Sequence, residues 1–248
     1  MRPEIQVFPT GEVLARAAAT EVVTLATEAV KARGRFTLAL AGGSTPKALY
    51  ALLAGDAHFR DAMPWGQTHF FWGDERHVPP GHADSNYRMA NEAMLAKVPV
   101  PAAQMHRIRA EEADAAQAAM AYEQTLREVF VGETIPRFDA ILLGMGTDGH
   151  TASLFPGTAA LGETRRLVAA NWVPKFSTWR ITFTAPLLNH ASNVIFLVNG
   201  PDKAEPLQAV LEGPRQPEVL PSQLVQPVDG RLVWMLDATA AERLNRVP

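Results

Sequence analysis

The segment 144–151, GMGTDGHT, carries the residues of this chain that are best suited to chemistry. His150 could act as a general base, because an imidazole has a pKa near neutrality and can take a proton from water at pH 7. Asp148 could fix the tautomer of that imidazole or hold a substrate hydroxyl, and the sequence leaves both roles open. A histidine in a glycine-rich loop is a poor core residue, which favours catalysis over structure.

A second segment, GGSTP, begins at Gly42 and is a candidate anion site. Gly42 and Gly43 let the backbone turn tightly and approach a ligand closely. Ser44 or Thr45 could cap the helix that follows, and Pro46 suits its first position. The free N–H groups and the dipole at the start of that helix would attract an anion. A plain strand–turn–helix connection explains the same residues equally well, and no nucleotide-binding pattern is present.

A third segment, WGDERHVPP, begins at Trp72. Arg76 offers planar, bidentate recognition of a phosphate or carboxylate, and Asp74 could orient that arginine or a sugar hydroxyl. The alternative is a solvated, charged turn, which is the usual structure of such a run. No set of three or four histidines and carboxylates stands at metal-ligand spacing, so the sequence predicts no metal site.

The elements that must position these segments alternate along the chain. The apolar spacing predicts helices over about 11–32, 86–95, 111–130, 201–211 and 238–244, and one more helix that begins near residue 46. Apolar runs predict strands over 36–41, 69–72, 139–143, 180–184, 193–198 and 232–236. The Pro-rich stretch 213–227 is interpreted as a long surface connection. This pattern is typical of an α/β fold with a mostly parallel sheet, and we expect one domain over 1–248.

The three polar segments each follow an apolar strand. Ligands of open parallel sheets bind at the carboxyl ends of the strands. The sequence therefore predicts that all three segments converge on one site.

The composition narrows the possible partners. A net charge of −3 gives no reason to expect nucleic acid or a membrane surface, and a phosphorylated substrate would need local positive groups. The 0 cysteines exclude disulfides, thiolate metal sites and a cysteine nucleophile. The first residues include Glu4 and Gln6 without an apolar run, so we expect no signal peptide and a cytoplasmic location.

Taken together, the motifs resemble the 6-phosphogluconolactonase family, within the larger group that includes glucosamine-6-phosphate deaminase. The segments that carry the resemblance are LALAGGSTP at 38–46, FFWGDERHVPPGHADSN at 70–86, FDAILLGMGTDGHTASLFPGT at 138–158, WRITFTAPLLNHA at 179–191 and FLVNGPDKAEPL at 196–207. The resemblance implies a three-layer α/β/α sandwich with a Rossmann-like sheet, of the deaminase and ribose-phosphate-isomerase type. It also implies cofactor-free hydrolysis of a phosphorylated sugar lactone, by a monomer or weak homodimer, in the oxidative pentose phosphate pathway.

The resemblance also assigns roles to individual residues. His150 matches the family's base. The residues expected at the substrate or its phosphate are Gly42, Gly43, Ser44, Thr45, Asp74, Arg76, Lys175, Arg180 and Lys203. The run PKFSTWR around Lys175 departs from the family pattern, which is nearer PKPPxxR.

Two other functions are weighed against the lactonase. A deaminase or sugar-phosphate isomerase resembles the chain, but that pattern has a glutamate five residues after the histidine, where this chain has Phe155. A non-catalytic sugar-phosphate sensor would need a DNA-binding element, and no helix–turn–helix precedes residue 11.

Overall fold

The computed structural model describes residues 3–245. Its strands are β1 (Glu4–Phe8), β2 (Phe36–Leu40), β3 (Thr68–Trp72), β4 (Asp74–Arg76), β5 (Met105–His106), β6 (Ala140–Leu143), β7 (Val168–Val173), β8 (Thr178–Phe183), β9 (Asn193–Val198) and β10 (Arg231–Asp237). Its helices are α1 (Gly11–Arg33), α2 (Ser44–Gly55), α3 (Ala57–Ala62), α4 (Asn86–Ala93), α5 (Ala115–Val129), α6 (Ala185–Leu188) and α7 (Ala204–Glu212).

Seven strands form one sheet in the order β1-β10-β9-β6-β2-β3-β5, and all of its pairings are parallel. Every residue of β2 and β6 is buried, as expected for central strands covered on both faces. Helices flank the sheet, which confirms the predicted α/β fold. No helix within residues 3–245 has the length and apolar character to cross a bilayer.

The order of the strands creates a crevice beside β2. The chain passes from β2 to its neighbour β3 on one side, whereas β6 pairs with β2 on the other side. Connections that leave in opposite directions open a gap at the carboxyl ends of the two strands. The segments after β2 and β6, which hold Ser44 and His150, border this gap.

Three strands form a separate antiparallel sheet in the order β4-β8-β7. The strand β4 forms within the segment after Trp72, where the sequence predicted no strand. The sequence analysis also missed β7, whose burial does not follow a simple alternation, and the edge strands β1 and β5. The predicted strand over 180–184 exists as β8 but belongs to this second sheet.

Local hydrogen bonds explain where helix predictions succeed and fail. Gly34, in the left-handed conformation at φ 75°, ends α1 close to the predicted end near residue 32. Asp114 accepts from the N–H of Ala116 and so starts α5 later than the predicted residue 111. The predicted helix over 238–244 is wrong: residues 238–243 form turns, with Asp237 accepting from the N–H of Ala240 and the hydroxyl of Thr239.

A buried carboxylate on α5 joins this helix to the start of β7 in the second sheet. Glu123 on α5 is 6% exposed and accepts hydrogen bonds from the side chains of Arg127 and Arg166 and from the N–H groups of Leu167 and Val168, the start of β7. Burial alone would raise the pKa of Glu123, but these donors outweigh it and hold the pKa below its ordinary value. The ionised carboxylate therefore fastens α5 to the second sheet.

We expect Glu123→Ala to lower the free energy of unfolding by about 2–4 kcal/mol, because it leaves buried donors without an acceptor. Urea denaturation at pH 7 measures this change. Because the folded pKa is depressed, the stabilisation is complete above the ordinary glutamate pKa and disappears as the pH falls below it. Glu128→Ala, on the exposed face of the same helix, is the control and should change stability little. Equal losses in both variants would contradict the assignment.

Candidate active site

A cleft of about 210 Å³ opens at the carboxyl edge of the large sheet. The predicted site residues that line it are Gly42, Gly43, Ser44, Thr45, Asp74, Arg76, His150, Arg180 and Lys203. The three segments therefore converge, as the strand order requires. Asp148 and Lys175 are not among the lining residues, and they lie behind His150 instead.

The turn after β2 presents backbone donors to the cleft. Gly43 has φ 102°, a conformation that favours glycine, and α2 begins directly after it at Ser44. The prediction that Ser44 or Thr45 caps α2 is wrong, because Gly43 occupies the cap position and no side chain caps the helix. The first N–H groups of a helix have no partner within the helix, so those of α2 remain available to an anion.

The carboxylates of β4 are buried, not solvated. Asp74 is 7% exposed; its Oδ2 accepts from the Ser153 hydroxyl at 2.6 Å and its Oδ1 from the Asn86 amide at 3.2 Å. The alternative of a charged surface turn is therefore wrong for this residue. The carboxylate of Asp74 joins the second segment to the chain that follows His150.

Glu75 is the second buried carboxylate of β4. It accepts from the N–H groups of Arg76, Asn86 and Tyr87 and from the hydroxyl of Ser85. Burial raises the pKa of Glu75, and the backbone donors oppose that rise. These contacts fix the start of α4 against β4.

Asn86 is a site residue that the sequence analysis missed. The neighbouring Ser85 caps α4 by accepting from the N–H of Arg88. The Asn86 side chain lines the cleft and donates to the carbonyl of Asp74 at 3.0 Å. A Cβ on Gly42 would lie 2.1 Å from the Asn86 side-chain oxygen, so glycine is needed there. In sequence, Asn86 carries no signal beyond its place at a helix start.

Two arginines stand opposite each other on paired strands. Arg76 of β4 is in register with Arg180 of β8, and both line the cleft. Arg76 donates through Nη1 to the carbonyl of Asp84. Within residues 3–245, the guanidinium of Arg180 has no hydrogen-bond acceptor, and the Nε atoms of both arginines are buried without one. The terminal N–H groups of Arg180, which no acceptor in the described part of the chain engages, can bind an anionic ligand.

Burial lowers the pKa of Arg180, and the charge of Asp74 opposes that change while the charge of Arg76 adds to it. The guanidinium remains charged at neutral pH, because an arginine starts from a very high pKa. It lies 5.9 Å from the ring centre of Phe155 and 5.4 Å from that of Phe176. An anion bound here would be held next to His150, which stacks on the same Phe155.

His150 is held at the end of a hydrogen-bonded series. Its Nδ1 donates to Oδ1 of Asp148, and Oδ2 of Asp148 accepts from Nζ of Lys175 at 2.8 Å. Burial alone would raise the pKa of Asp148, but the bonds from His150 and Lys175 prevail and hold it well below the ordinary value. An ionised Asp148 keeps the proton on Nδ1 and leaves Nε2 of the imidazole with a free lone pair.

Packing fixes the same imidazole from its other sides. The ring stacks on Phe155 with 3.9 Å between centres and 21° between planes. A Cβ on Gly146 would lie 2.0 Å from Nδ1 of His150, so only glycine leaves room for the ring. The N–H of Gly146 also donates to the carbonyl of His150 at 2.9 Å.

Lys203 reaches the cleft from the far end of the chain. It ends the turn Pro201–Lys203 between β9 and α7, and its Nζ lies 3.1 Å from a carboxylate oxygen of Asp202. Its side chain is 22% exposed. Among residues 3–245, no group of three or more histidines, cysteines and carboxylates is arranged to hold a metal ion.

The site thus combines one oriented imidazole with cations and backbone donors. The imidazole can take a proton from water, and the donors can hold an anionic group and stabilise negative charge that develops during a reaction. This combination suits hydrolysis of a phosphorylated substrate.

Comparisons with known proteins support this interpretation. A sequence model of the family "Glucosamine-6-phosphate isomerases/6-phosphogluconolactonase" matches residues 9–234. The 6-phosphogluconolactonase of Synechocystis sp. is 44% identical over 247 residues, covering 99% of this chain and 100% of that protein. That of Nostoc sp. is 42% identical over 248 residues, with the same coverage. The structure of 6-phosphogluconolactonase from Trypanosoma cruzi superposes with a TM-score of 0.85 at 31% identity, covering 99% of this chain and 98% of that one.

The contact between Lys175 and Asp148 leads to a prediction. Lys175→Met removes a cation and a hydrogen bond, so we expect the pKa of Asp148 to rise toward the ordinary aspartate value of about 3.9. A titration followed by the ¹³C signal of the Asp148 carboxyl measures this. Because the folded pKa is depressed, the stability it contributes is present above about pH 4 and declines at lower pH, and the variant should lose part of it. Lys31→Met, at the exposed end of α1, is the control. An unchanged Asp148 titration in Lys175→Met would show that the contact is not formed.

Proposed function

Because this chain belongs to the family of glucosamine-6-phosphate isomerases and 6-phosphogluconolactonases, we propose that it hydrolyses 6-phospho-D-glucono-1,5-lactone to 6-phosphogluconate, with His150 as the base. This reaction belongs to the oxidative pentose phosphate pathway. One observation carries the proposal: the imidazole of His150, oriented by Asp148, shares a cleft with the unpartnered guanidinium of Arg180.

The phosphate of the substrate provides binding energy at a distance from the reacting bond. The N-terminus of α2 at Ser44 and Thr45, together with Lys203 and Arg76, supplies the donors and positive charge for it. Binding energy from this group holds the lactone against His150, so that attack by water becomes effectively intramolecular.

His150 activates the water. Nδ1 carries the proton that is donated to Asp148, and Nε2 accepts a proton from water while the water oxygen bonds to C1 of the lactone. Negative charge then develops on the carbonyl oxygen. Arg180 and the backbone N–H of the cleft-lining Gly144 are the candidate donors to that oxygen.

The second half of the reaction returns the proton. As the bond between C1 and the ring oxygen breaks, the imidazolium gives its proton to that oxygen, which becomes a hydroxyl. The product acid then ionises. Lys175 and Asp148 act through the imidazole, because Asp148 stabilises the positive charge that His150 acquires after the first step.

Deamination of glucosamine 6-phosphate is the competing function. It moves protons between carbon atoms and needs an additional acid or base near the histidine. Phe155 occupies the position expected for that group, and its ring covers one face of the His150 imidazole. This packing supports the lactonase.

We further propose a cytoplasmic location. The 0 cysteines of the sequence suit a reducing compartment and support it.

We expect His150→Ala to reduce kcat for 6-phosphogluconolactone by about 10²–10⁴-fold with little change in KM, because the variant loses the base and keeps the phosphate contacts. Acid release from freshly prepared lactone, corrected for spontaneous hydrolysis, is the measurement. His58→Ala, on the surface of α3, is the matched control and should retain full activity. A kcat of His150→Ala equal to that of the wild type would exclude His150 as the base.

We expect Lys203→Ala to raise KM for 6-phosphogluconolactone by about 10–100-fold, since charge-assisted hydrogen bonds contribute about 1.5–3 kcal/mol. Hydrolysis of unphosphorylated gluconolactone should be weak in the wild type and unchanged in the variant. Lys31→Ala serves as the control. Equal effects of Lys203→Ala on both lactones would rule out a phosphate contact. If the wild type released ammonia from glucosamine 6-phosphate and no acid from the lactone, the chain would be a deaminase.

A further inference from the structure

The Pro-rich segment 213–227 does more than connect α7 to β10. Two of its residues, Ser222 and Gln223, are 1% and 8% exposed, so this part of the segment is buried and not on the surface as the sequence suggested. The N–H of Ser222 donates to the carbonyl of Gly149 at 2.9 Å. The hydroxyl of Ser222 donates to the same carbonyl at 2.8 Å. Gly149 immediately precedes the proposed base.

The carbonyl of Gly149 and the N–H of His150 belong to one planar peptide group. Ser222 holds the carbonyl side of this plane, and Asp148 accepts from the N–H side at 3.3 Å. A peptide plane that is held at both ends cannot rotate. The Cα of His150, and with it the origin of the imidazole, is therefore fixed.

The side chain of Leu220 also packs against Gly149. Gly149 has φ 72°, and a Cβ there would lie 2.7 Å from Cδ2 of Leu220 and 3.3 Å from its Cα. Farther along the chain, the N–H of Gly157 donates to the carbonyl of Glu218 at 3.1 Å. The segment thus contacts the chain both before and after the stretch that holds His150.

The segment is itself tied to α7. The amide of Gln223 donates to the carbonyls of Val210 and Pro214 at 3.2 and 3.1 Å, and its oxygen accepts from the N–H of Gln216 at 2.6 Å. The helix α7 follows the turn that carries Lys203. The adjacent residues Ser222 and Gln223 therefore connect the loop of the proposed base to a helix that follows a proposed phosphate ligand.

We propose that Ser222 is a positioning residue for His150, a role that rests on the proposed lactonase function. Its hydroxyl fixes the Gly149–His150 peptide plane and, through it, the imidazole. A displacement of about 1 Å in a catalytic group can cost on the order of 10²-fold in rate. Ser222→Ala loses the hydrogen bond from the hydroxyl to the Gly149 carbonyl and keeps the one from the backbone N–H. We therefore expect a loss of rate smaller than about 10²-fold.

Three variants test the role. Ser222→Ala should lower kcat about tenfold and change KM less than twofold, and Ser222→Thr, which keeps a hydroxyl, should recover most of the activity. Thr68→Val is the matched control: it deletes a hydroxyl bond to the carbonyl of Pro64, at the end of β3 opposite the cleft. This control should lower the melting temperature and leave kcat unchanged. The ¹⁵N signals of the His150 imidazole should shift in Ser222→Ala alone.

Wild-type kcat together with unchanged imidazole signals in Ser222→Ala would overturn the proposal. A loss of kcat in Thr68→Val equal to that in Ser222→Ala would also overturn it, because the effect would then follow stability and not position. The imidazole signals are recorded without substrate. If the wild type failed to hydrolyse the lactone, the proposed function would fall, and these signals would still decide whether Ser222 positions His150.

Discussion

The carboxylate of Asp148 lies between the imidazole of His150 and the ammonium group of Lys175, and the orientation of that imidazole depends on Asp148 staying ionised. Desolvation opposes ionisation at this partly buried position, and the bonds from His150 and Lys175 overcome it. The ionised form selects one tautomer of the imidazole, with Nε2 free to accept a proton. If Asp148 were neutral, it could donate to Nδ1 instead, and the proton would then reside on Nε2, where a base needs a lone pair. Lys175 thus helps to keep Asp148 ionised although it does not line the cleft.

The second sheet determines where an anion can bind. Pairing of β4 with β8 sets Arg76 opposite Arg180, and two adjacent guanidinium groups repel each other. Asp74 offsets part of this repulsion, but its two oxygens already accept from Ser153 and Asn86. An anionic ligand would relieve the remaining repulsion, so the charge balance of this site would improve when an anion binds.

Parts of this arrangement follow from the sequence and parts do not. The apolar runs that form β2 and β6 predict both strands, and parallel pairing brings the segments after them together, so the convergence of Ser44 and His150 could be foreseen. The burial of Glu75 could not, because its acceptor role depends on N–H groups around residue 86 that approach it only when α4 packs on β4. The contact of Lys175 with Asp148 spans 27 positions and depends on the second sheet, most of which sequence patterns did not predict.

The ionisable groups that line the cleft suit a reaction that needs a single base. The ionisable residues that line the cleft are Asp74, Arg76, His150, Arg180 and Lys203. Each oxygen of Asp74 accepts a hydrogen bond, one from Ser153 and one from Asn86. Glu75 behind it accepts four, so both carboxylates hold neighbouring segments together. Arginine stays protonated at neutral pH. In the proposed lactonase reaction His150 is the single base, which can activate water and return the same proton to a leaving oxygen. A reaction that moves protons between two carbon atoms would need a second group of that kind, and at the position nearest to the imidazole face the chain has the phenyl ring of Phe155.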